Sequence, residues 1–422
     1  MEADLLVKTD LLGYLRSKTR NDILLLTKEE TVVVCSSHDK GDIVNALMDL
    51  KLGLPLKINE PDVDSEKHRL WTNIVEYSHG LNTVFCKEDL DVLSLSKVIN
   101  WFLFKGKKSP VLNIKKSEWN SMDLLSSYWS EEARSHGRNI FMSHSMADLW
   151  KEELRYLYEV VLKRDDVVLS SEHFKNIMWY IGYEVSTFKP TNAKFIFEFF
   201  QSKRVLDPYG GWGDRMIGAA AACEAGKLNS TPAVQEYTCC SPNTLMKVPF
   251  QKLTEFLSER SDIKLEHMII PFRYAKVKKN YYDMVFFEPP RIDREHFPTD
   301  IEQTIGPNET QAVWFADFVI PTVEKLWDCL ELNGYLVFIS RSGKNDPHAE
   351  PLTMYIAGWL GEFMGMIYMN QEESKTRKNK IHYPFHCFQK KKNYSWEAGT
   401  KYRLAFNYHY KAIAHEIRKH TP

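Results

Sequence analysis

The sequence predicts an α/β protein, a doubly wound and mainly parallel sheet preceded by a smaller α+β unit, and two observations carry that expectation. After Lys203, β-rich runs alternate with helical runs, the pattern that strand–helix–strand crossovers impose. The first of these crossovers, VLDPYGGWGDR (205–215), puts three glycines between a strand and an alanine-rich helix. The length of 422 residues exceeds the usual size of one domain and leaves room for a second.

Taken in order, the predicted strands of the larger part are 204–207, 233–239, 266–270, 283–288 and 334–340. Helices are predicted at 215–226, 243–260 and 310–331, with another near 350–363 leading to MGMIYMN and HYPFHCFQ. Ahead of them, DILLL (22–26) and TVVVCSS (31–37) read as a hairpin, and 41–53 has helical spacing with a stop at Gly53. The polar stretch 57–69 reads as a loop, and 101–116 mixes aromatics with lysines. From 121 to 200 the pattern is helical, with Ser145–Asp148 and Ser171 placed as helix starts. The expected division is an α+β unit over 1–120, a helical linker over 121–184, the alternating domain over 185–391, and a basic aromatic tail over 392–422.

Composition bounds the partners and the compartment. At 44% hydrophobic and 26% charged residues the chain has ordinary globular composition, and its net charge of −1 requires any polyanion to be met by a local patch. Seven scattered cysteines form no CxxC pair and no zinc-like spacing, so reduced thiols and no metal site are expected. The N-terminus MEADLLVKTD has early acids, and no run approaches the roughly 20 apolar residues of a membrane span. The expectation is a soluble protein of the cytoplasm or nucleus, with no membrane partner.

The glycine loop is the first chemical motif. Gly210, Gly211 and Gly213 allow a sharp turn and close approach to a ligand, and the helix that follows offers free N–H groups. The spacing is not GxGxxG and there is no phosphate-loop lysine, so nucleoside triphosphates are disfavoured. A ligand loop and a plain tight turn both fit; its place in the first strand–helix unit favours the ligand.

Four phrases in fixed order carry a resemblance: Phe188–Ala193 (FKPTNA), Asp207–Arg215 (DPYGGWGDR), Tyr282–Arg291 (YDMVFFEPPR) and Asn333–Tyr335 (NGY). Over about 121–391 the chain resembles the amino-methyltransferase-like proteins of phages and large DNA viruses, relatives of the N6-adenine and N4-cytosine DNA methyltransferases. The resemblance implies a Rossmann-like S-adenosylmethionine-dependent methyltransferase fold. It implies that Phe188, Lys189, Pro190, Asp207, Pro208, Gly210, Gly211 and Gly213 line the cofactor, with Ser241 and Phe272 at its ribose and adenine ends. It places catalysis at Glu288, Pro289, Pro290 and Arg291, where the family carries Ser, Asp or Asn, two prolines and an aromatic on which a flipped base stacks. It implies a nucleic-acid partner and a host-cell or virion-associated setting.

Three departures fall on that chemistry. Glu288 is longer than Asp and Arg291 replaces the aromatic, bringing positive charge near a sulfonium donor. Ser241 stands where an acid would hold both ribose hydroxyls, and Glu236 lies too far back along the strand to replace it. EHMIIPFRYAKVKK (266–279) offers Phe272 and Arg273 where an acid would read the adenine.

Elsewhere, Asp214 and Arg215 read as a helix cap and a structural ion pair. His382 and His386 share one strand face with Cys387 opposite, which disfavours a metal. Arg294, Lys375, Arg377, Lys378 and Lys380 read either as solvated loop charges or as phosphate contacts near a base pocket. The expected function is a nucleic-acid-associated methyltransferase-fold protein with degenerate catalysis, binding DNA or RNA as a scaffold subunit, with residues 1–120 serving either target recognition or the docking of a protein partner. The alternative is an active S-adenosylmethionine-dependent N6-adenine or N4-cytosine methyltransferase. Salt-sensitive nucleic-acid binding would fit the first; transfer lost on Glu288→Ala would establish the second.

Overall fold

The computed structural model describes residues 3–7, 23–26, 31–35, 44–45, 48, 63–78, 81–84, 111–114, 124–139, 145–156, 159, 168–169, 187–290, 295–296, 310–339, 349–370 and 382–420 within these bounds, except 157–158. The chain divides into two compact units: residues 1–70, 124–187 and 293–300 form one, and 71–123, 188–292 and 301–422 the other.

In the first unit, β1 (Ala3–Val7), β2 (Ile23–Leu26) and β3 (Thr31–Cys35) form antiparallel pairs β1–β3 and β2–β3. The β2–β3 pair is the hairpin the sequence predicts. The stretch read as a polar loop is instead largely helix, α1 (Val63–Glu76). Its polar residues pair along the helix, Lys67 with Asp64 at 3.0 Å and Arg69 with Glu66, while Leu70, Trp71 and Ile74 are buried. A charged face hid an amphipathic helix.

In the second unit, two further strands precede the alternating part, β4 (Leu81–Val84) and β5 (Val111–Ile114). Back in the first unit come α2 (Ser127–Ser135), β6 (Arg138–Asn139), α3 (Met146–Glu152) and β7 (Val168–Leu169). The predicted start at Ser145 is a full capping box: Asp148 N–H donates to the Ser145 hydroxyl at 3.1 Å and Ser145 N–H to the Asp148 carboxylate at 3.0 Å.

The alternating part then runs α4 (Pro190–Phe199), β8 (Arg204–Asp207), α5 (Asp214–Leu228), β9 (Glu236–Cys240), α6 (Lys247–Ser258), β10 (Lys264–Met268) and β11 (Tyr282–Phe287). After the short β12 (Glu295–His296) of the first unit come α7 (Gln311–Trp314), α8 (Ile320–Cys329), β13 (Leu330–Ile339), α9 (Ala349–Tyr355), β14 (Glu362–Asn370), β15 (His382–Gln389), α10 (Trp396–His409) and α11 (Lys411–His420). The helix predicted over 310–331 is broken by a π turn at Phe315–Val319, just ahead of Pro321. A proline lacks the N–H and crowds the preceding turn, and widening that turn relieves both.

The main sheet has the order β10-β9-β8-β11-β13-β15-β14-β5-β4. The pairs from β10 to β13 are parallel, and β15 lies antiparallel between β13 and β14. From β8 the chain first builds outward to β9 and β10, then returns to place β11 on the other side. The switch point of the sheet therefore lies between β8 and β11, where ligands of doubly wound sheets bind.

Two further features set the extent of the larger unit. β5 pairs in parallel with β14, which brings 71–123 into the larger unit; no local composition announces a pairing that distant. The basic aromatic tail is two helices of the same unit, with Tyr402, Ala405, Phe406, Ile413 and Ala414 in one core with Phe315, Val323 and Leu352. Among the described residues, no helix is long and apolar enough to cross a membrane.

Candidate functional site

The glycine loop follows β8 at the switch point, and its backbone explains its composition. Gly211 and Gly213 have φ of 56° and 95°, the left-handed region where a side chain is strained. A Cβ on Gly213 would also meet Leu253 at 2.5 Å. Gly210 N–H donates to Cys240 O at 2.7 Å, tying the loop to the end of β9. One turn further along α5, a Cβ on Gly218 would meet Pro190 O at 2.6 Å, so α4 and α5 touch backbone to backbone.

Arg215 organises the crevice. Its side chain is almost wholly buried, and its Nε donates to Asp207 Oδ2 at 2.6 Å. The same guanidinium donates to Tyr209 O in the glycine loop and to Glu288 Oε2 after β11. It lies 5.5 Å from the Phe188 ring and 5.8 Å from that of Phe286. Burial works against its charge, but the Asp207 and Glu288 carboxylates more than offset this and raise its pKa. Asp207, fully buried, also accepts from the Tyr237 hydroxyl at 2.6 Å and from Tyr209 N–H at 3.0 Å. A single cation thus links the end of β8, the glycine loop and the double-proline loop across the switch point. The pair with Asp207 is the structural ion pair expected of Arg215, and its second arm to Glu288, 73 residues away, is a signal that only the fold supplies.

The other predicted residues fall as follows. Phe188 packs edge-on to Phe286 at 5.7 Å and to Phe385 at 6.5 Å. Lys189 is the N-cap residue of α4 and Pro190 opens that helix. Pro208, Pro289 and Pro290 flank the crevice on its two loops, and Glu288 is half-exposed. Ser241 is buried at the end of β9; its hydroxyl accepts from Asn243 N–H at 3.3 Å, and Asn243 in turn accepts from Leu245 N–H at 3.1 Å. Ser241 is therefore part of the turn that starts the next helical stretch. Phe272 is a core residue, 1% exposed, with the Lys325 ammonium 4.7 Å over its ring. That ammonium donates to the carbonyls of Phe272, Arg273 and Ala275 at 2.7, 3.0 and 2.9 Å. Arg291, Arg294, Lys375, Arg377, Lys378 and Lys380 lie outside the described residues.

Glu236 sits at the other end of β9, accepting from the Tyr281 hydroxyl at 2.7 Å, as its register predicts. Asp283 of the YD phrase accepts from the backbone N–H groups of Lys203 and Arg204, at 2.9 Å from each. That phrase fastens the start of β8 to β11, away from the crevice.

The strand order, five parallel strands wound about a central switch point and followed by the antiparallel β15, decides the fold. It is the Rossmann-like fold of the S-adenosylmethionine-dependent methyltransferases. No family model and no curated protein matches the sequence. Among solved structures, a tRNA (m1A58) methyltransferase from Aquifex aeolicus is 14% identical, covering 50% of this chain and 72% of that one at a TM-score of 0.31. A methyltransferase from Geobacter sulfurreducens is 11% identical, covering 50% and 85% at a TM-score of 0.28. At these values the likeness adds nothing about activity or substrate.

The described residues fit the donor poorly. The fold's glycine turn is intact, but the β9 end offers one hydroxyl already accepting a hydrogen bond, and the Phe272 ring is roofed by a lysine. The Glu288 carboxylate is held by Arg215.

Proposed function

We propose that this chain is a methyltransferase-fold protein that no longer transfers methyl groups and acts as a nucleic-acid-associated binding subunit. The observation that carries the reading is the Arg215 bridge. Glu288, the one acceptor in the catalytic position, is ion-paired to a buried guanidinium that also closes the glycine loop. One oxygen of that carboxylate is committed to its partner, which fixes where the group points, and positioning is most of what such catalysis needs. The use of Ser241 in the β9 turn and of Phe272 in the core supports the same reading, because both residues serve the fold itself.

The test is to offer S-adenosylmethionine with single- and double-stranded DNA and RNA to the wild type and to Glu288→Ala. Equal nucleic-acid binding by both, falling steeply with salt, and no methylated product from either, is the expected outcome. Methylated product that disappears with Glu288→Ala would overturn it.

A further inference from the structure

The most prepared binding feature of the larger unit lies away from the crevice, on α10. Trp396, the first residue of that helix, is 69% exposed. A large indole normally loses conformational freedom when it binds, but this one is already fixed. The Arg403 guanidinium lies 3.3 Å from its ring centroid, covering one face. Arg403 is itself buried, and its donors are engaged by Gly358 O, Trp396 O and the Thr400 hydroxyl. The anchor is rigid in turn. Gly358 and Gly399 let α10 lie directly on the π turn at Ile356–Leu360: a Cβ on Gly399 would collide with Gly358 O, and one on Gly358 would crowd Arg403 at 3.1 Å. The Ser395 hydroxyl caps the helix, accepting from Ala398 N–H at 3.1 Å. The result is an indole held flat with its second face turned to solvent.

The surroundings favour one class of occupant. Residues 391–420 carry seven Lys/Arg against two Asp/Glu. Lys392, Lys401 and Lys411 are exposed, and along α10 the row Trp396, Leu404 and Tyr408 stays exposed at 69%, 65% and 70%. Trp396 and Tyr408 are separated by about 18 Å of helix, at ~1.5 Å per residue. An aromatic platform set among lysines complements a chain of phosphates carrying unpaired bases, whereas a helix-docking groove would be apolar and continuous.

We infer that the outer face of α10 binds single-stranded nucleic acid, with a base stacked on the open face of Trp396 and phosphates met by Lys392 and Lys401. The inference rests on the nucleic-acid reading of the previous section and places the contact at a site that reading does not name. Stacking on an indole tolerates any base, so the site discriminates strand state and not sequence.

The experiment is fluorescence anisotropy of labelled single-stranded DNA and RNA oligonucleotides, with duplexes of the same sequence, on wild type, Trp396→Ala and Trp396→Phe. Loss of one stacked base weakens single-strand affinity roughly 5- to 150-fold in Trp396→Ala, with the salt dependence little changed and most affinity kept by Trp396→Phe. Lys392→Gln combined with Lys401→Gln instead lowers the salt slope. If wild type binds and Trp396→Ala binds equally well, the α10 site is wrong while the nucleic-acid reading stands. If wild type binds no nucleic acid, both fail. Binding of a proline-rich or aromatic peptide, with no response to oligonucleotide, would likewise overturn the site.

Discussion

The crevice at the ends of β8 and β11 and the outer face of α10 use the same chemistry to opposite ends. Each is organised by one buried arginine whose guanidinium ties distant backbone together and lies beside aromatic rings. In the crevice, Arg215 donates to Glu288, Asp207 and the loop carbonyl alike, so one guanidinium engages three acceptors. On α10, Arg403 is satisfied by backbone and one hydroxyl, and leaves an indole face to solvent. On the proposed reading, a retained fold carries its function away from the crevice at the strand ends. A buried charge network rigidifies whatever it joins, and what matters is which group it leaves free.

The sharpest way to break the comparison is Arg215→Met. It leaves Asp207 fully buried without its counter-charge, and the expected loss is about 3–5 kcal/mol of unfolding free energy in urea titrations. A loss below 1 kcal/mol would mean that the bridge does not organise the crevice.

Acid sensitivity has to be assigned before the bridge can be probed by pH. His386 is wholly buried, stacked on Phe338 at 4.4 Å, and 2.9 Å from the Thr353 hydroxyl. Burial lowers its pKa from 6.5 to about 3. The folded-state value lies below the unfolded one, so the unfolded chain binds the proton first. The stability contribution is full above pH 6.5 and is lost as pH falls from 6.5 towards 3. The slope is ~1.4 kcal/mol per pH unit, and His386→Gln should remove it from stability measured between pH 7 and 5. An unchanged slope in that variant would assign the acid limb to groups other than His386.

Smaller effects sharpen the contrast. Ser241→Ala removes one acceptor from the β9 turn and should cost ~1 kcal/mol in urea titrations. Glu288→Gln should cost no more than ~1 kcal/mol, since Glu288 is half-exposed and Asp207 still neutralises Arg215. Trp396→Ala gives up only its stack on Arg403 and should change stability by ~1 kcal/mol or less, though it is the variant expected to weaken oligonucleotide binding most. A surface residue with little effect on melting and a large one on binding is what separates the two regions.

Much of the fold was legible because the alternating runs after Lys203 obey local rules: periodicity, glycine at the turns, serine at the caps. The edges were not. β5 joins the sheet by pairing with the far later β14 and carries β4 with it, and α1 was disguised by charges that pair along its own surface. At the site, the glycine loop and the double-proline loop were readable as phrases, and the substitutions at Ser241 and Phe272 as departures. The Arg215–Glu288 contact was not, because two residues on separate strand ends meet only when β11 returns beside β8. The Trp396 platform was equally hidden, since an arginine seven positions along a helix stacks on an indole only where packing holds it there.

The measurement closest to the central claim is calorimetric titration of the purified protein, stripped of any carried-over ligand, with S-adenosylmethionine and S-adenosylhomocysteine. The account predicts no binding heat up to millimolar ligand, because the crevice is closed by the protein's own charges. Micromolar binding of either would contradict it, and would return Glu288 to the role of a working acceptor.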